Sequence, residues 1–153
     1  MKIKPKKYFF GSEVDTVRWA SSLAPLLKAG DSVLLSGEIG AGKSAFARAL
    51  IRAHLGRQED VPSPTFTIVQ TYQADEVEIW HCDLYRLTHP DEAFELGLEE
   101  AFDTAICLIE WPDRLGDEIP KGALSLAFEA TDTGHEMTVT ASPHWLDRLQ
   151  GLA

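Results

Sequence analysis

The octapeptide Gly37-Glu38-Ile39-Gly40-Ala41-Gly42-Lys43-Ser44 decides the fold of this chain. It matches the pattern G-x-x-x-x-G-K-[ST] of a phosphate-binding loop. The apolar run Ser32–Ser36 precedes it, and the helix-forming residues 45–51 follow it. This order of strand, glycine-rich loop and helix predicts a loop that wraps around a phosphate group, rather than a glycine-rich turn that binds nothing.

The residue types of this loop supply the chemistry of a nucleotide site. Glycines let the backbone curl until successive N–H groups point at one anion, and the helix that follows adds the positive end of its dipole. The Lys43 side chain can reach the β- and γ-phosphates, and the Ser44 hydroxyl can bind Mg²⁺. The predicted nucleotide-binding residues are Gly37, Glu38, Ile39, Gly40, Ala41, Gly42, Lys43, Ser44 and Ala45. The motif alone leaves both ATP and GTP open as the nucleotide.

Composition limits the functions that the chain can have. With 153 residues, 44% of them hydrophobic, the chain fits a single domain over residues 1–153. Its formal net charge of −10 is unsuited to holding a nucleic-acid backbone, so we expect any action on nucleic acid to pass through a basic partner. The lysines near the start of the chain predict a flexible segment over residues 1–7.

The apolar segments of the chain are short. No signal peptide or membrane-spanning run is visible, which predicts a cytoplasmic protein without membrane contact. Cys82 and Cys107 lie in strand-like apolar runs without the spacing of metal ligands. We therefore expect two buried free thiols in a reducing compartment.

The hydrophobic pattern predicts an α/β fold in which helices cover both faces of a mixed sheet. Continuous apolar runs at 31–36 and 105–110 predict the parallel core of the sheet, and the short connection between 66–71 and 77–84 predicts an antiparallel hairpin. Further strands are predicted at 8–10, 124–130 and 137–141, and helices at 13–28, 43–55 and 143–149. In the first helix, Val17, Leu23 and Leu27 are predicted to face the core.

Two acidic residues end apolar runs, as catalytic acids of nucleotide-hydrolysing sites do. Asp83 ends the run that begins at residue 77, and Glu110 follows the apolar residues 106–109. Ligands of such sheets bind beyond the carboxyl ends of the strands, so we expect both acids to lie beside the phosphate loop. Each could hold Mg²⁺ or orient the attacking water, and the sequence does not assign the two roles.

Two other segments are candidates for a response to the nucleotide. Ser63 and Thr65 lie in a proline-rich loop and could sense the γ-phosphate as a switch, although such residues are also common in ordinary turns. Trp111 precedes Pro112 and could serve either in packing or as an anchor for a partner protein.

Several motifs together resemble the TsaE family of bacterial proteins. After the phosphate loop, they are Ser63-Pro64-Thr65-Phe66-Thr67, His81-Cys82-Asp83-Leu84-Tyr85-Arg86-Leu87, Glu95-Leu96-Gly97-Leu98 and Ile109-Glu110-Trp111-Pro112. They occur in the family's order and spacing over roughly residues 8–115. The phosphate loop alone would be unspecific, whereas this combination is highly specific.

The resemblance implies a compact P-loop NTPase without an inserted lid, which hydrolyses ATP to ADP and phosphate with Mg²⁺. Hydrolysis is implied to be slow in the isolated subunit and to be stimulated by the TsaB–TsaD complex. That complex transfers the threonylcarbamoyl group to tRNA adenosine, so this subunit meets tRNA only indirectly. The family pattern maps the two acids onto Asp83 and Glu110, the switch hydroxyls onto Ser63 and Thr65, and a partner-coupling tryptophan onto Trp111.

The resemblance weakens in places, and other functions remain open. Family members bind adenine near the start of the first helix, which makes Ser12 a candidate contact. They often carry an arginine after the glycine of the late hairpin, where this chain has His135 after Gly134.

A small-molecule kinase would need a lid and a basic acceptor pocket, for which the chain has little material. A nucleotide-gated binding module would not need an acid at both Asp83 and Glu110.

Overall fold

The computed structural model describes residues 5–57, 59–62, 64 and 68–150. Within these residues the strands are β1 (Lys6–Phe10), β2 (Ser32–Ser36), β3 (Val69–Ala74), β4 (Val77–Asp83), β5 (Ile106–Glu110), β6 (Leu124–Thr131) and β7 (Gly134–Thr140). The helices are α1 (Glu13–Leu23), α2 (Lys43–Leu55), α3 (Asp91–Glu95), α4 (Leu98–Thr104) and α5 (Pro143–Arg148), with short 3-10 segments at Ala24–Leu26 and Pro112–Glu118.

The strands form one mixed sheet in the order β1-β7-β6-β2-β5-β4-β3. Its centre is parallel, because β2 pairs in parallel with β5 and β6, and β5 pairs in parallel with β4. Its two ends are antiparallel, formed by β1, β7 and β6 on one side and by the β3–β4 hairpin on the other. The predicted mixed sheet is confirmed, and its parallel centre extends beyond the two predicted strands to include β4 and β6.

Both faces of the sheet are covered by helices, as predicted. Side chains of a strand alternate between the two faces, so Val33 and Leu35 of β2 join one core while Leu34 joins the other. The first core also contains Phe46 of α2 and Trp145 of α5, and the second is completed by residues of α3 and α4. The central strands are therefore buried on both sides, which explains their continuous apolar sequence.

The first helix is shorter than the predicted span of 13–28. α1 ends at Leu23, and a 3-10 segment with Pro25 in its first turn follows. Proline has no N–H to continue the helical hydrogen bonds, and its ring clashes with the preceding turn. Leu23 and Leu27 are buried as predicted, but Val17 is 44% exposed, so its predicted core position is wrong.

The prediction of a flexible segment over residues 1–7 is wrong for Lys6 and Lys7. Residues 1–4 lie outside the described part, whereas Lys6 and Lys7 belong to β1 and pair with Val139 and Thr138 of β7. Lys6 and Lys7 are consecutive, so their side chains point to opposite faces of this edge strand, and both are exposed. A basic sequence is therefore compatible with a strand here.

The remaining predicted elements are found with small shifts at their ends. α2 ends before Gly56, whose φ of +71° suits glycine at a helix C-terminus. The hairpin strand predicted at 66–71 is found at Val69–Ala74, and its first two predicted residues lie outside the described part. Among the described residues, no helix combines the length and the apolar character needed to cross a membrane.

The two cysteines are free and buried, as predicted. Burial raises the pKa of the Cys107 thiol to about 12 and raises that of Cys82 well above its ordinary value. Because the thiolate is the reactive form, neither cysteine should react in the folded protein near neutral pH.

We therefore expect the native protein to resist a disulfide reagent between pH 7 and 9 and both thiols to react once guanidinium unfolds the chain. Thiol titration by absorbance measures both states. Rapid native labelling that accelerates from pH 7 to 9 would show that the thiols are accessible and titrate normally.

Candidate active site

The phosphate loop connects β2 to α2, and its glycines adopt backbone conformations that other residues rarely reach. Gly37, Gly40 and Gly42 have φ values of +133°, +84° and +108°. The first residue of α2 is Lys43, directly after the loop, so the N-terminus of this 13-residue helix points toward the same place as the loop. The sequence thus supplies the backbone N–H groups and the helix dipole on which anion binding depends.

The two predicted acids lie at the same edge of the sheet as this loop. In the parallel pairing of β4 with β5, Asp83 stands directly opposite Glu110, and both side chains are buried. Together with the loop they face a cavity of about 530 Å³. From the loop and α2 its lining comprises Ile39, Gly40, Gly42, Lys43, Ser44 and Ala45, and from other elements Asp83, Tyr85, Glu110, Trp111 and His135.

Glu110 connects the phosphate loop to the neighbouring strand. Its Oε1 atom accepts a hydrogen bond of 3.1 Å from the Ser44 hydroxyl, and its Oε2 atom lies 2.7 Å from Nε2 of His81. The Glu110 and His81 side chains are 2% and 1% exposed, respectively. Burying a carboxylate is unfavourable unless it is hydrogen-bonded, and these two partners satisfy one oxygen each.

Lys43 is buried at the centre of the site. Its ammonium group donates to the Gly37 carbonyl oxygen and lies 3.8 Å from the centre of the Trp111 ring. Burial lowers the pKa of Lys43, while the carboxylates of Glu110, Asp83 and Asp113 oppose this shift by favouring the charged form. An anion that enters the cavity would therefore meet a cation whose charge is only weakly screened by solvent.

Comparison with known proteins identifies the family. The family model "Threonylcarbamoyl adenosine biosynthesis protein TsaE" matches residues 10–138. The chain belongs to the TsaE family. Relatives named tRNA threonylcarbamoyladenosine biosynthesis protein TsaE include one from Rickettsia conorii, 39% identical over 87% of this chain and 76% of its own length. Another, from Bacillus subtilis, is 36% identical over 83% of this chain and 80% of its own length.

A solved structure supports the same assignment. The crystal structure of Bacillus subtilis YdiB superimposes with a TM-score of 0.82 and 28% sequence identity, covering 99% of this chain and 96% of that one. The α/β fold expected from the TsaE resemblance is therefore confirmed.

Aromatic residues form the rim of the cavity in this TsaE family protein. Trp111 follows β5 with φ +58° and ψ +52°, a left-handed conformation that is uncommon for a bulky residue. Its ring centre is 4.9 Å from that of Tyr85, which is 44% exposed. Ile39, on the loop itself, is 77% exposed. The rim of the cavity therefore exposes large apolar side chains to solvent next to the buried charged residues of the site.

Some predicted nucleotide contacts lie outside the cavity lining. Gly37, Glu38 and Ala41 line a neighbouring cavity with residues of β6. Ser12 is exposed and precedes α1, and its neighbour Glu13 lines a second adjoining cavity that shares Ala45 with the first. The predicted switch residues Ser63 and Thr65 lie outside the described residues.

Three residues at the site were not assigned to it from the sequence. Tyr85 joins the rim, and His81, which does not line the cavity, is hydrogen-bonded to Glu110. The β6–β7 hairpin brings His135 into the lining, where its ring lies 3.5 Å from the position of a Cβ added to Gly42. The sequence signal for this position is that His135 stands where the family resemblance implies an arginine.

The close contact of the loop with β6 makes Gly37 sensitive to substitution. A Cβ at Gly37 would lie 2.3 Å from the Phe128 carbonyl oxygen, whereas a Cβ at Gly40 would meet nothing within 4 Å. Both positions have positive φ, so alanine at either costs about 1–3 kcal/mol of backbone strain. Only Gly37→Ala adds overpacking, which costs about 1–3 kcal/mol more.

We expect Gly37→Ala to lower the melting temperature clearly more than Gly40→Ala, as measured by circular dichroism. Gly40→Ala is the matched control because it introduces the same methyl group at positive φ without the clash. Equal melting temperatures for the two variants would mean that the loop does not press against Phe128 as described.

Proposed function

We propose that this protein binds Mg²⁺ and ATP in the cavity between the phosphate loop and the paired acids, and hydrolyses the ATP to ADP and phosphate. The observation that carries the proposal is that Lys43 and Ser44 of a phosphate loop face Asp83 and Glu110 within a single cavity. A loop that only bound phosphate would have no need for two buried carboxylates, whose charges repel the phosphates. Carboxylates are useful there when a cation or an attacking water must be positioned.

The donor atoms of the site fit magnesium. Mg²⁺ prefers oxygen ligands and is usually held by one or two carboxylates together with substrate phosphates. Here the Ser44 hydroxyl and the Glu110 carboxylate, 3.1 Å apart, offer such oxygens beside the loop. When bound, Mg²⁺ would neutralise charge that develops on the phosphate oxygens.

The hydrogen bonds of Glu110 and Asp83 support different roles for the two acids in hydrolysis. Glu110 accepts a hydrogen bond from Ser44, the proposed magnesium ligand of the loop, so we assign Glu110 to magnesium binding. Asp83 stands opposite Glu110 in the sheet, and its Oδ1 atom accepts the Tyr85 backbone N–H. We assign to Asp83 the orientation of the attacking water, for which a fixed carboxylate within the cavity is suited.

The proposed activity serves threonylcarbamoyladenosine formation in tRNA through partner proteins. The names of the TsaE relatives support this pathway, and the family resemblance points to the TsaB–TsaD complex as the partner. The exposed side chains of Ile39 and Tyr85, together with the half-buried Trp111, offer an apolar surface that a partner could cover, and Trp111 also contacts Lys43. Covering the rim would exclude bulk solvent, but not the attacking water, from the cavity. The electrostatic interactions around the phosphates would become stronger, which would stimulate slow hydrolysis, with tRNA contacted only indirectly. Such a subunit would work in the cytoplasm.

Lys43→Ala tests the nucleotide site. Removing the ammonium should weaken ATP binding by at least about tenfold, because hydrogen bonds to charged groups contribute about 1.5–3 kcal/mol. Isothermal titration calorimetry with Mg²⁺ and ATP measures the change. Lys121→Ala is the control, because Lys121 lines a different cavity, with Asp103 and His144. Unaltered affinity in Lys43→Ala would exclude this cavity as the ATP site.

Glu110→Gln tests hydrolysis. The variant should bind ATP but turn it over about 100-fold more slowly, because its amide keeps the shape of the side chain but loses the charge that positions Mg²⁺. Phosphate release is measured with and without the purified TsaB–TsaD complex. Asp83→Asn is compared in parallel: full turnover in Glu110→Gln together with loss in Asp83→Asn would leave Asp83 as the essential acid. Absence of stimulation by TsaB–TsaD in the unaltered protein would contradict the partner proposal and leave the small-molecule kinase open.

A further inference from the structure

His81 has no role in the function proposed above, although it contacts the proposed magnesium-side acid. It does not belong to the cavity lining and is 1% exposed, so a nucleotide in the cavity would not reach it. Its Nε2 atom nevertheless lies 2.7 Å from Oε2 of Glu110. In the tautomer that carries its proton on Nε2, His81 donates this hydrogen bond to the carboxylate.

The register of the sheet creates this contact. His81 and Asp83 are two residues apart on β4 and share one face, as Leu108 and Glu110 do on β5. In the pairing of β4 with β5, His81 lies opposite Leu108 and Asp83 lies opposite Glu110. His81 is therefore two residues before the acidic pair along the strands, on the side of the core. The His81 side chain therefore contacts Glu110 from the protein interior, whereas Ser44, which lines the cavity, contacts it from the cavity side.

Stability alone does not explain a histidine at this position. Its other ring nitrogen, Nδ1, is buried and has no hydrogen-bond partner in the described part of the protein. A buried polar atom left without a partner costs about 1–3 kcal/mol. Ile79 and Leu108, which point to the same face, fill the core without such a cost. Among the described residues, the one hydrogen-bond partner of the His81 side chain is Glu110.

We propose that His81 is a positioning residue that fixes the Glu110 carboxylate for ATP hydrolysis. One oxygen of the carboxylate is held by Ser44 and the other by His81, so the group cannot rotate without breaking both hydrogen bonds. Partners of this kind, behind a metal-site carboxylate, typically change activity 10–100-fold when they are removed. The inference rests on the proposed hydrolysis, and it adds that the orientation of Glu110 is set from inside the core.

This arrangement predicts an effect on turnover rather than on ATP affinity. The loop N–H groups and Lys43 hold the phosphates in the bound state, and neither depends on His81. Loss of His81 releases one oxygen of Glu110, so the carboxylate samples orientations that do not support the reaction. The rate falls, while the KM for ATP changes little.

The test compares His81→Leu with His81→Gln in the presence of the TsaB–TsaD complex. Leucine fills much of the volume without a donor, and the glutamine amide nitrogen can take the place of Nε2–H. We expect His81→Leu to lower kcat by about 10–100-fold with a KM for ATP within about threefold of the unaltered protein. His81→Gln should recover most of the rate. If His81→Leu does not fold, as judged by circular dichroism, His81→Asn replaces it, because its amide is too short to reach Glu110.

A double-variant cycle decides whether His81 acts through Glu110. His81→Leu added to Glu110→Gln should cause little further loss of kcat, since the group that His81 positions has already been altered. Independent losses that multiply would overturn the proposal, as would an unchanged kcat in His81→Leu or equal losses in the leucine and glutamine variants. An unaltered protein that hydrolyses no ATP, alone or with TsaB–TsaD, would overturn the proposed function and this inference with it.

Discussion

The hydrogen bond between Ser44 and Glu110 joins the phosphate loop to the strand that carries the acid, and the geometry of the site depends on it. It can form because β2 and β5 are parallel neighbours with Leu35 opposite Glu110. A shift of this pairing by one residue would turn the Glu110 side chain to the other face of the sheet, away from α2. The chemistry of the site therefore rests on the register of two buried strands.

The nucleotide proposed for this site is a polyanion, whereas the chain carries a net charge of −10. At long range the field of the protein opposes an approaching nucleotide. At short range the loop N–H groups, the start of α2 and the buried Lys43 act through a medium of low dielectric, where each contribution is larger than in water. The nearby acids reduce this attraction, and a magnesium ion bound with the nucleotide would compensate for them.

Much of the fold could be predicted because its elements have local signatures. Continuous apolar runs identified β2 and β5, and the glycine after Leu55 marked the end of α2. The prediction was wrong where neighbouring elements decide the outcome. Val17 follows the helical pattern of an apolar face but lies toward solvent, and Lys6 and Lys7 form a strand because β7 offers them an edge. A local pattern does not reveal which partner an edge or a face will meet.

The sequence by itself determined the phosphate loop and predicted Asp83 and Glu110 at the same edge of the sheet, because strand ends and loop conformations are encoded by consecutive residues. Only the tertiary structure decided that Glu110 is held between Ser44 and His81, and that His135 reaches Gly42 from a distant hairpin. These residues are far apart in the chain. They meet because strand register and side-chain alternation place them together, and both follow from packing of the whole sheet.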